Sequence, residues 1–341
     1  MRILAIETSC DETAVAVVEF LDDGIVKVLG EAIASSMKIH VETGGIVPEV
    51  AAREQLESMI PTIEESFRIS DIGHQDIHAI VVTQGPGLLG SLVVGVETAK
   101  TLALSWNKPI IPVNHVMAHL YGNWINNQSP ETSHQKPEFP AVGLIVSGGH
   151  AEIILMTSHD EYKWLGGTRD DAAGECFDKC ARVLGLAYPG GPSIAIAAEQ
   201  WNGGTVERLL PRPMLHSKNL DMSFSGLKTA VLNYTRTNPD YDVSELAFEL
   251  QEAIVEVLVK KLDTAIKLYN PSSLLIAGGV AANTRLRDAL DILSKNHSIP
   301  LHIPELRYCT DNAAMIGAFA ALAGKSVELV SVRPNPSMEL L

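Results

Sequence analysis

His115-Val116-Met117-Ala118-His119 places two imidazoles four residues apart. On a helix, residues i and i+4 share a face, so both rings can reach one ion. Two unrelated histidines on a helix surface produce the same spacing. A zincin-type peptidase needs a glutamate directly after the first histidine as general base, and Val116 stands there instead. That removes the mechanistic basis for a peptidase. No third ligand lies nearby in sequence. Asp311, at the start of the last predicted helix, is the best distant carboxylate. Two histidines and one carboxylate with open positions suit non-haem Fe(II) or catalytic Zn.

Asp11 and Glu12 are adjacent carboxylates in a hydroxyl-rich turn, Thr8-Ser9-Cys10-Asp11-Glu12-Thr13. Such a pair can position a metal, a water or an amine, or form only a solvated acidic turn. Ser147-Gly148-Gly149 and Gly278-Gly279 each follow a predicted strand. Glycine turns let backbone N–H groups approach phosphate or ribose closely, although ordinary tight turns use the same residues. Neither turn matches the P-loop or the Rossmann glycine pattern, so those nucleotide sites are excluded. Cys176 and Cys180, one helical turn apart, read as small buried residues.

The elements that must position these residues follow from hydrophobic period. Residues 2–7 read as a buried strand and 14–20 as a second, on either side of the acidic turn. The pattern recurs at 143–146 and 151–156, around Ser147-Gly148-Gly149-His150. Two strand–turn–strand units, each opening a stretch of alternating strands and helices, predict a duplicated architecture. Residues 48–67 read as a helix, with Leu56, Met59, Ile60, Ile63 and Phe67 at 3-4 spacing and a kink at Pro61. Further strands are predicted at 78–83, 110–113 and 274–277. Further helices are predicted up to about 104, from 115, at 171–184, 244–268 and 311–323. Residues 127–140 are polar and read as a linker.

Composition sets the outer bounds. The 341 residues, 46% hydrophobic and 20% charged, suit a globular protein of two domains. Four cysteines are too few and too scattered for a disulfide framework. The first residues do not read as a signal peptide, and no apolar run is long enough to span a bilayer. The expectation is a cytoplasmic protein without a membrane partner. At a net charge of −15 the chain is a poor non-specific nucleic-acid binder. An RNA substrate would need a local basic patch or a partner.

The motifs, taken in order, resemble those of the bacterial TsaD family, the tRNA N6-adenosine threonylcarbamoyltransferases, earlier described as glycoproteases. The resemblance begins with Ile6-Glu7-Thr8-Ser9-Cys10-Asp11-Glu12-Thr13, Gly44-Gly45-Ile46-Val47-Pro48-Glu49, Gly85-Pro86-Gly87-Leu88 and the His115–His119 pair. It continues through Val146-Ser147-Gly148-Gly149-His150, Asp170-Asp171-Ala172-Ala173-Gly174-Glu175, Phe177-Asp178-Lys179 and Tyr188-Pro189-Gly190-Gly191-Pro192. It ends with Ser223-Phe224-Ser225-Gly226-Leu227-Lys228-Thr229, Ala277-Gly278-Gly279-Val280 with Asn283, and Cys309-Thr310-Asp311-Asn312.

The resemblance implies an α/β, two-lobed actin/hexokinase/Hsp70-like fold with duplicated domains around a ligand cleft. The expected lobes are 1–112 with 311–341, and 113–310, the latter carrying the nucleotide and metal motifs. It implies one divalent metal ion between the lobes on His115, His119 and Asp311, Fe(II) first, with Zn or Mg as alternatives. It implies ligand contacts at Ile145, Val146, Ser147, Gly148, Gly149, Asp178, Gly191 and Asn283. The expected reaction moves a threonylcarbamoyl group from threonylcarbamoyl-AMP to N6 of the adenosine 3′ of the anticodon in tRNAs reading ANN codons, releasing AMP. Asp11 or Glu12 would serve the acceptor amine, Glu12 slightly preferred. A TsaB-like paralogue and a small TsaE-like ATPase are the implied partners, the paralogue pairing with helices that include residues 48–67. The alternatives are a non-catalytic nucleotide-binding scaffold and an ATPase of the same fold. Gln55 stands where the family often has histidine, and Ala195 where some members have an acidic residue contacting the ligand.

Overall fold

A computed structural model describes residues 1–36, 47–126, 136–203 and 208–340. The Gly44-Gly45-Ile46 part of one motif, and residues 127–135 of the expected linker, fall outside the described residues. The chain forms two compact units, one of residues 1–136 with 304–341 and one of residues 137–303.

The first unit holds a five-stranded sheet in the order β3-β2-β1-β4-β5. Its strands are β1 (Arg2–Glu7), β2 (Glu12–Phe20), β3 (Val26–Ser35), β4 (Ala79–Gly85) and β5 (Ile110–Asn114). β1, β2 and β3 form an antiparallel meander, while β4 and β5 run parallel to β1. Strand alternation sorts side chains to the two faces. Leu4, Ile6, Val15 and Val17 enter one core with Met59 and Ile63 of α1 (Pro48–Ser70) and Val96 and Ala99 of α2 (Leu89–Trp106). On the other face, Ala5 and Val18 meet a later helix, α9 (Ala313–Ala323). Gly317 makes that approach close, since a Cβ there would stand 2.7 Å from Val18 Cγ2 and 3.4 Å from Ala5 Cβ. α1 runs through Pro61 and ends at Ser70. Pro61 and Glu57 both lie on its exposed side, so the carbonyl that loses its N–H donor is open to water.

The second unit repeats the plan. Its strands are β6 (Ala141–Val146), β7 (Ala151–Met156), β8 (Tyr162–Gly167), β9 (Ser273–Ala277) and β10 (Leu301–His302), in the order β10-β9-β6-β7-β8. β6, β7 and β8 form the antiparallel meander, and β9 and β10 add parallel to β6. The expected duplication is therefore present at the level of topology. Helices α4 (Ala173–Val183), α5 (Gly190–Glu199), α6 (Ser225–Thr237), α7 (Val243–Tyr269) and α8 (Thr284–His297) complete this unit. Leu246, Leu250, Ile254, Leu258 and Leu262, the four-residue steps that predicted α7, are all fully buried.

The unit boundary falls after residue 136, not at 113 as the sequence suggested. The reason is local: β5 pairs with β4 of the first sheet, and a short helix, α3 (His115–Tyr121), follows it without a break. Among the described residues, no helix is long and apolar enough to cross a membrane.

Candidate functional site

β5 delivers the histidine pair. Asn114 closes the strand and caps α3, its side-chain oxygen accepting from Met117 N at 3.1 Å. Its amide nitrogen donates to Glu339 O at 2.9 Å, which ties this corner to the chain's end. One turn of helix then sets the His115 and His119 rings 4.9 Å apart, nearly edge to face. Asp311 arrives from the other side of the sequence, just ahead of α9. Asn312 caps α9 by accepting from Met315 N at 2.8 Å, and Glu31 of β3 accepts from Ala314 N at 3.0 Å. The rings of Tyr121 and Phe319, 4.7 Å apart, join α3 to α9.

This packing brings Asp311 Oδ1 to 3.4 Å from His115 Nε2 and 3.5 Å from His119 Nε2. One donor atom from each of the three residues lies within 4.8 Å of the others. Donors that share an ion at about 2.1 Å each stand roughly 3–3.5 Å apart, so the set fits one metal ion. His115 is 7% exposed and His119 1%, which leaves Asp311 as the more open side. All three ligands belong to the first unit, so the site is not built by residues of both units as the expected lobe boundary implied.

Sequence reading left Glu7 unassigned. It ends the apolar strand β1 and is 1% exposed. Its Oε2 stands 3.0 Å from His115 Nδ1 and accepts from Thr83 Oγ1, while its Oε1 accepts from Ser9 N at 2.5 Å. Burial pushes the Glu7 carboxyl up, but His115 beside it outweighs that and holds it below the ordinary value. For His115 burial works to neutralise the ring, yet the Glu7 and Asp311 carboxylates raise it well above the ordinary value. Two carboxylates in this shell call for a positive charge between them, either a proton or a cation. The available signal in sequence was the charge itself, a glutamate closing the apolar run Ile3–Ile6.

The acidic turn leads from β1 into β2. Burial, reinforced by Asp11 and Asp311 and opposed by a hydrogen bond from Ser35, pushes the Glu12 carboxyl up to about 7. Its Oε1 accepts from Ser35 Oγ at 2.9 Å, and its Oε2 is buried with no partner among the described residues. The Cys10 thiol is driven far up by burial and by Asp311 and Asp11, which keeps it protonated and out of the ligand set. Gln55 of α1, 1% exposed, holds the turn from behind. Its amide nitrogen donates to Cys10 O and Glu12 O, both at 3.0 Å. The departure at Gln55 thus has a structural role, as a clamp on the turn backbone.

In the second unit the two glycine turns lie side by side. Gly278 has a φ of +93°, and a Cβ there would meet Val146 O at 2.4 Å and Ser147 N at 3.2 Å. Only glycine fits so strained and so close a position. Gly148, Gly149, Gly191 and Gly279 differ: a Cβ on any of them would find nothing within 4 Å among the described residues. Protein packing does not demand glycine at these four. Asp178 Oδ1 accepts from Gly190 N at 2.6 Å, anchoring the start of α5 next to Gly191. The Ile145 and Val146 side chains are fully buried in β6, so only their backbone can meet a ligand. The Asn283 side chain caps α8 through Leu286 N at 2.9 Å and donates to Gln251 Oε1 at 2.8 Å.

Comparison with known proteins agrees with this picture. A family model described as TsaD, tRNA N6-adenosine threonylcarbamoyltransferase, matches residues 27–318. A protein of that description from Kosmotoga olearia is 46% identical over 320 residues, 94% of this chain and 92% of its own length. One from Carboxydothermus hydrogenoformans is 44% identical over 341 residues, 99% of this chain and 97% of its own. Among solved structures, HypF of T. kodakarensis superposes with a TM-score of 0.60 at 12% identity, over 94% of this chain and 47% of that one. A full-length HypF in its phosphate- and nucleotide-bound form gives 0.57 at 12% identity, over 94% of this chain and 46% of that one. At that identity the likeness is one of fold, and the fold is of the actin/hexokinase/Hsp70 class. The near-full-length relatives carry the identity further: the chain belongs to the tRNA N6-adenosine threonylcarbamoyltransferase family, transferases that modify tRNA.

Proposed function

We propose that the chain transfers the threonylcarbamoyl group of threonylcarbamoyl-AMP to N6 of the adenosine 3′ of the anticodon in tRNAs reading ANN codons, releasing AMP. One observation carries the reading: in a member of this family, two buried imidazoles and a carboxylate converge on one point. His115, His119 and Asp311 would hold a divalent ion. Their nitrogen-rich set favours Fe(II), with Zn second, over Mg, which prefers oxygen ligands. Such an ion supplies Lewis acidity for the developing negative charge.

The adenine N6 amine is a weak nucleophile, because its lone pair is delocalised into the ring. The donor is a mixed carbamic–phosphoric anhydride, which compensates. N6 attacks the carbamoyl carbon, the bond from that carbon to the phosphate oxygen breaks, and AMP leaves with the electron pair. The N6 proton passes to Glu12, whose carboxyl titrates at about 7 and so suits a base near neutral pH. Asp11 beside it adds to the upward push on the Glu12 carboxyl. In the second unit, backbone N–H groups at Gly148 and Gly149 receive the acyl or phosphate end of the donor, since a Cβ at either would face open space. Asp178 and Gly191 hold the ribose and adenine end, with Asn283 shaping the neighbouring turn.

The acidic chain needs help to engage tRNA in the cytoplasm. The α1–α2 face supports pairing with a TsaB-like paralogue, with a TsaE-like ATPase as the second partner. Leu56, Ile60 and Leu89 are 68%, 57% and 59% exposed there. Leu56 lines a groove of about 470 Å³ together with Pro48, Ala52 and Val94. Contiguous exposed apolar surface of this kind marks an interaction site.

The test is to incubate chain, both partners, threonylcarbamoyl-AMP and tRNA, and to analyse the nucleosides. Modified adenosine and AMP in equal amounts are expected. Replacing His115 and His119 by Ala should remove the metal and lower transfer far more than donor binding. Donor binding without transfer in the complete system would instead indicate a scaffold, and tRNA-independent ATP hydrolysis an ATPase.

A further inference from the structure

We propose that Glu7 is a positioning residue for the metal centre: it fixes the His115 ring so that Nδ1 carries the proton and Nε2 presents its lone pair to the ion. The inference rests on the reading of His115, His119 and Asp311 as metal ligands. A carboxylate buried at the end of an apolar strand is costly unless both of its oxygens find donors. Glu7 meets that condition with donors from three elements: Thr83 Oγ1 on β4, Ser9 N in the following turn, and His115 Nδ1 on α3. β1 and β4 are paired in parallel, with Ile6 opposite Val82, so Glu7 and Thr83 are the next residues along both strands. The support for the ring is therefore built into the sheet.

The arrangement decides a tautomer. Thr83 and Ser9 both donate to Glu7, and a carboxylate has no hydrogen to give, so the proton between Glu7 and His115 sits on Nδ1. When a cation takes the place of the second ring proton, Nε2 is the nitrogen with the free lone pair, on the side that faces Asp311 Oδ1 at 3.4 Å. Ser9 Oγ, 3.2 Å from the same Nδ1, is placed to accept as well. A carboxylate behind a metal-bound histidine orients the ring and raises its basicity, and loss of such a partner weakens metal binding about 10- to 100-fold.

Glu7→Gln keeps the shape and changes the donors. A carboxamide has one acceptor oxygen for three donors. If that oxygen serves Ser9 N, the NH2 faces His115 and forces Nδ1 to accept, which moves the ring proton to Nε2 and blocks the ligand atom. If it serves His115, the NH2 opposes the Ser9 N–H.

The full chain is titrated with Zn2+ alone against a chromophoric chelator. Wild type should bind one ion, His119→Ala should lose it, and E7Q, folded by circular dichroism, should bind about 10- to 100-fold more weakly. Zn2+ affinity in folded E7Q within twofold of wild type overturns the inference and leaves the metal centre standing. A wild type that binds no Zn2+, or a His119→Ala chain that binds it unchanged, overturns the metal reading and the inference with it. Should E7Q not fold, side-chain 15N spectroscopy of Zn2+-loaded wild type decides the matter. A proton on His115 Nδ1 supports the proposal, and a metal bound at Nδ1 refutes it.

Discussion

Gln55→Leu tests the clamp on the acidic turn. Leucine fills nearly the same buried volume, so the change deletes hydrogen bonds with little change in packing. Two bonds at 3.0 Å are lost, from Gln55 Nε2 to Cys10 O and to Glu12 O, together with its longer 3.5 Å approach to Thr8 O. At a net worth of about 0.5–1.5 kcal/mol each, the sum is about 1–3 kcal/mol. Ser91 Oγ still donates to Cys10 O at 3.2 Å, which places the expected value in the lower half of that range. The loss is local, so amide hydrogen exchange of residues 8–13 is the suitable assay. A cost of 1–3 kcal/mol corresponds to about 5- to 150-fold faster exchange there, with the β6–β10 strands unchanged. Transfer should slow at unchanged donor affinity, because Glu12 is no longer held. Gln55→His restores one donor and should recover part of both losses. Protection in Gln55→Leu within twofold of wild type would refute the clamp.

Four further outcomes are expected. Because the Glu12 carboxyl sits at about 7 rather than at its ordinary 4.5, the transfer rate should rise with pH through about 7, and Glu12→Gln should flatten that limb. The same raised value means the folded state holds this proton more tightly than the unfolded chain. Its stabilising contribution is complete below 4.5 and lost as pH rises through about 7, so Glu12→Gln should gain stability over wild type at pH 8 but not at pH 4; equal melting shifts at both pH values would contradict this. Gly149→Val should fold normally, as its Cβ meets nothing within 4 Å, yet weaken donor binding by calorimetry; unchanged affinity would remove this turn from the ligand site. Gly317→Ala should destabilise the first unit by about 1–3 kcal/mol through overpacking, since its Cβ would stand 2.7 Å from Val18 Cγ2, and an unchanged denaturation midpoint would show that α9 shifts freely.

The sequence by itself determined the features set by local periodicity. Continuous apolar runs identified β1, β6 and β9, and four-residue steps identified α7, because a fully buried strand and a one-sided helix each impose their own spacing. The paired strand–turn–strand units foretold the duplicated sheets, and the i, i+4 histidines faced one point because one turn of helix makes them do so. Elements with weak local patterns escaped. β10 is two residues long, β8 exposes Lys163 and Trp164, and α5 opens on Gly190-Gly191-Pro192, which reads as a turn.

Only the tertiary structure decided which distant groups meet. Asp311 reaches the histidines because α9 packs on α3, a contact with no local signature. The unit boundary moved from 113 to after 136 because β5 gains its hydrogen bonds from β4, and pairing of that kind is read from the sheet rather than the chain. Glu7 is the sharpest case. Its charge was visible in the sequence, but its meaning depends on Thr83 and His115, which reach it from a neighbouring strand and a helix. Local sequence specifies period and chemistry, whereas a site is a coincidence in space, and long-range packing alone creates it.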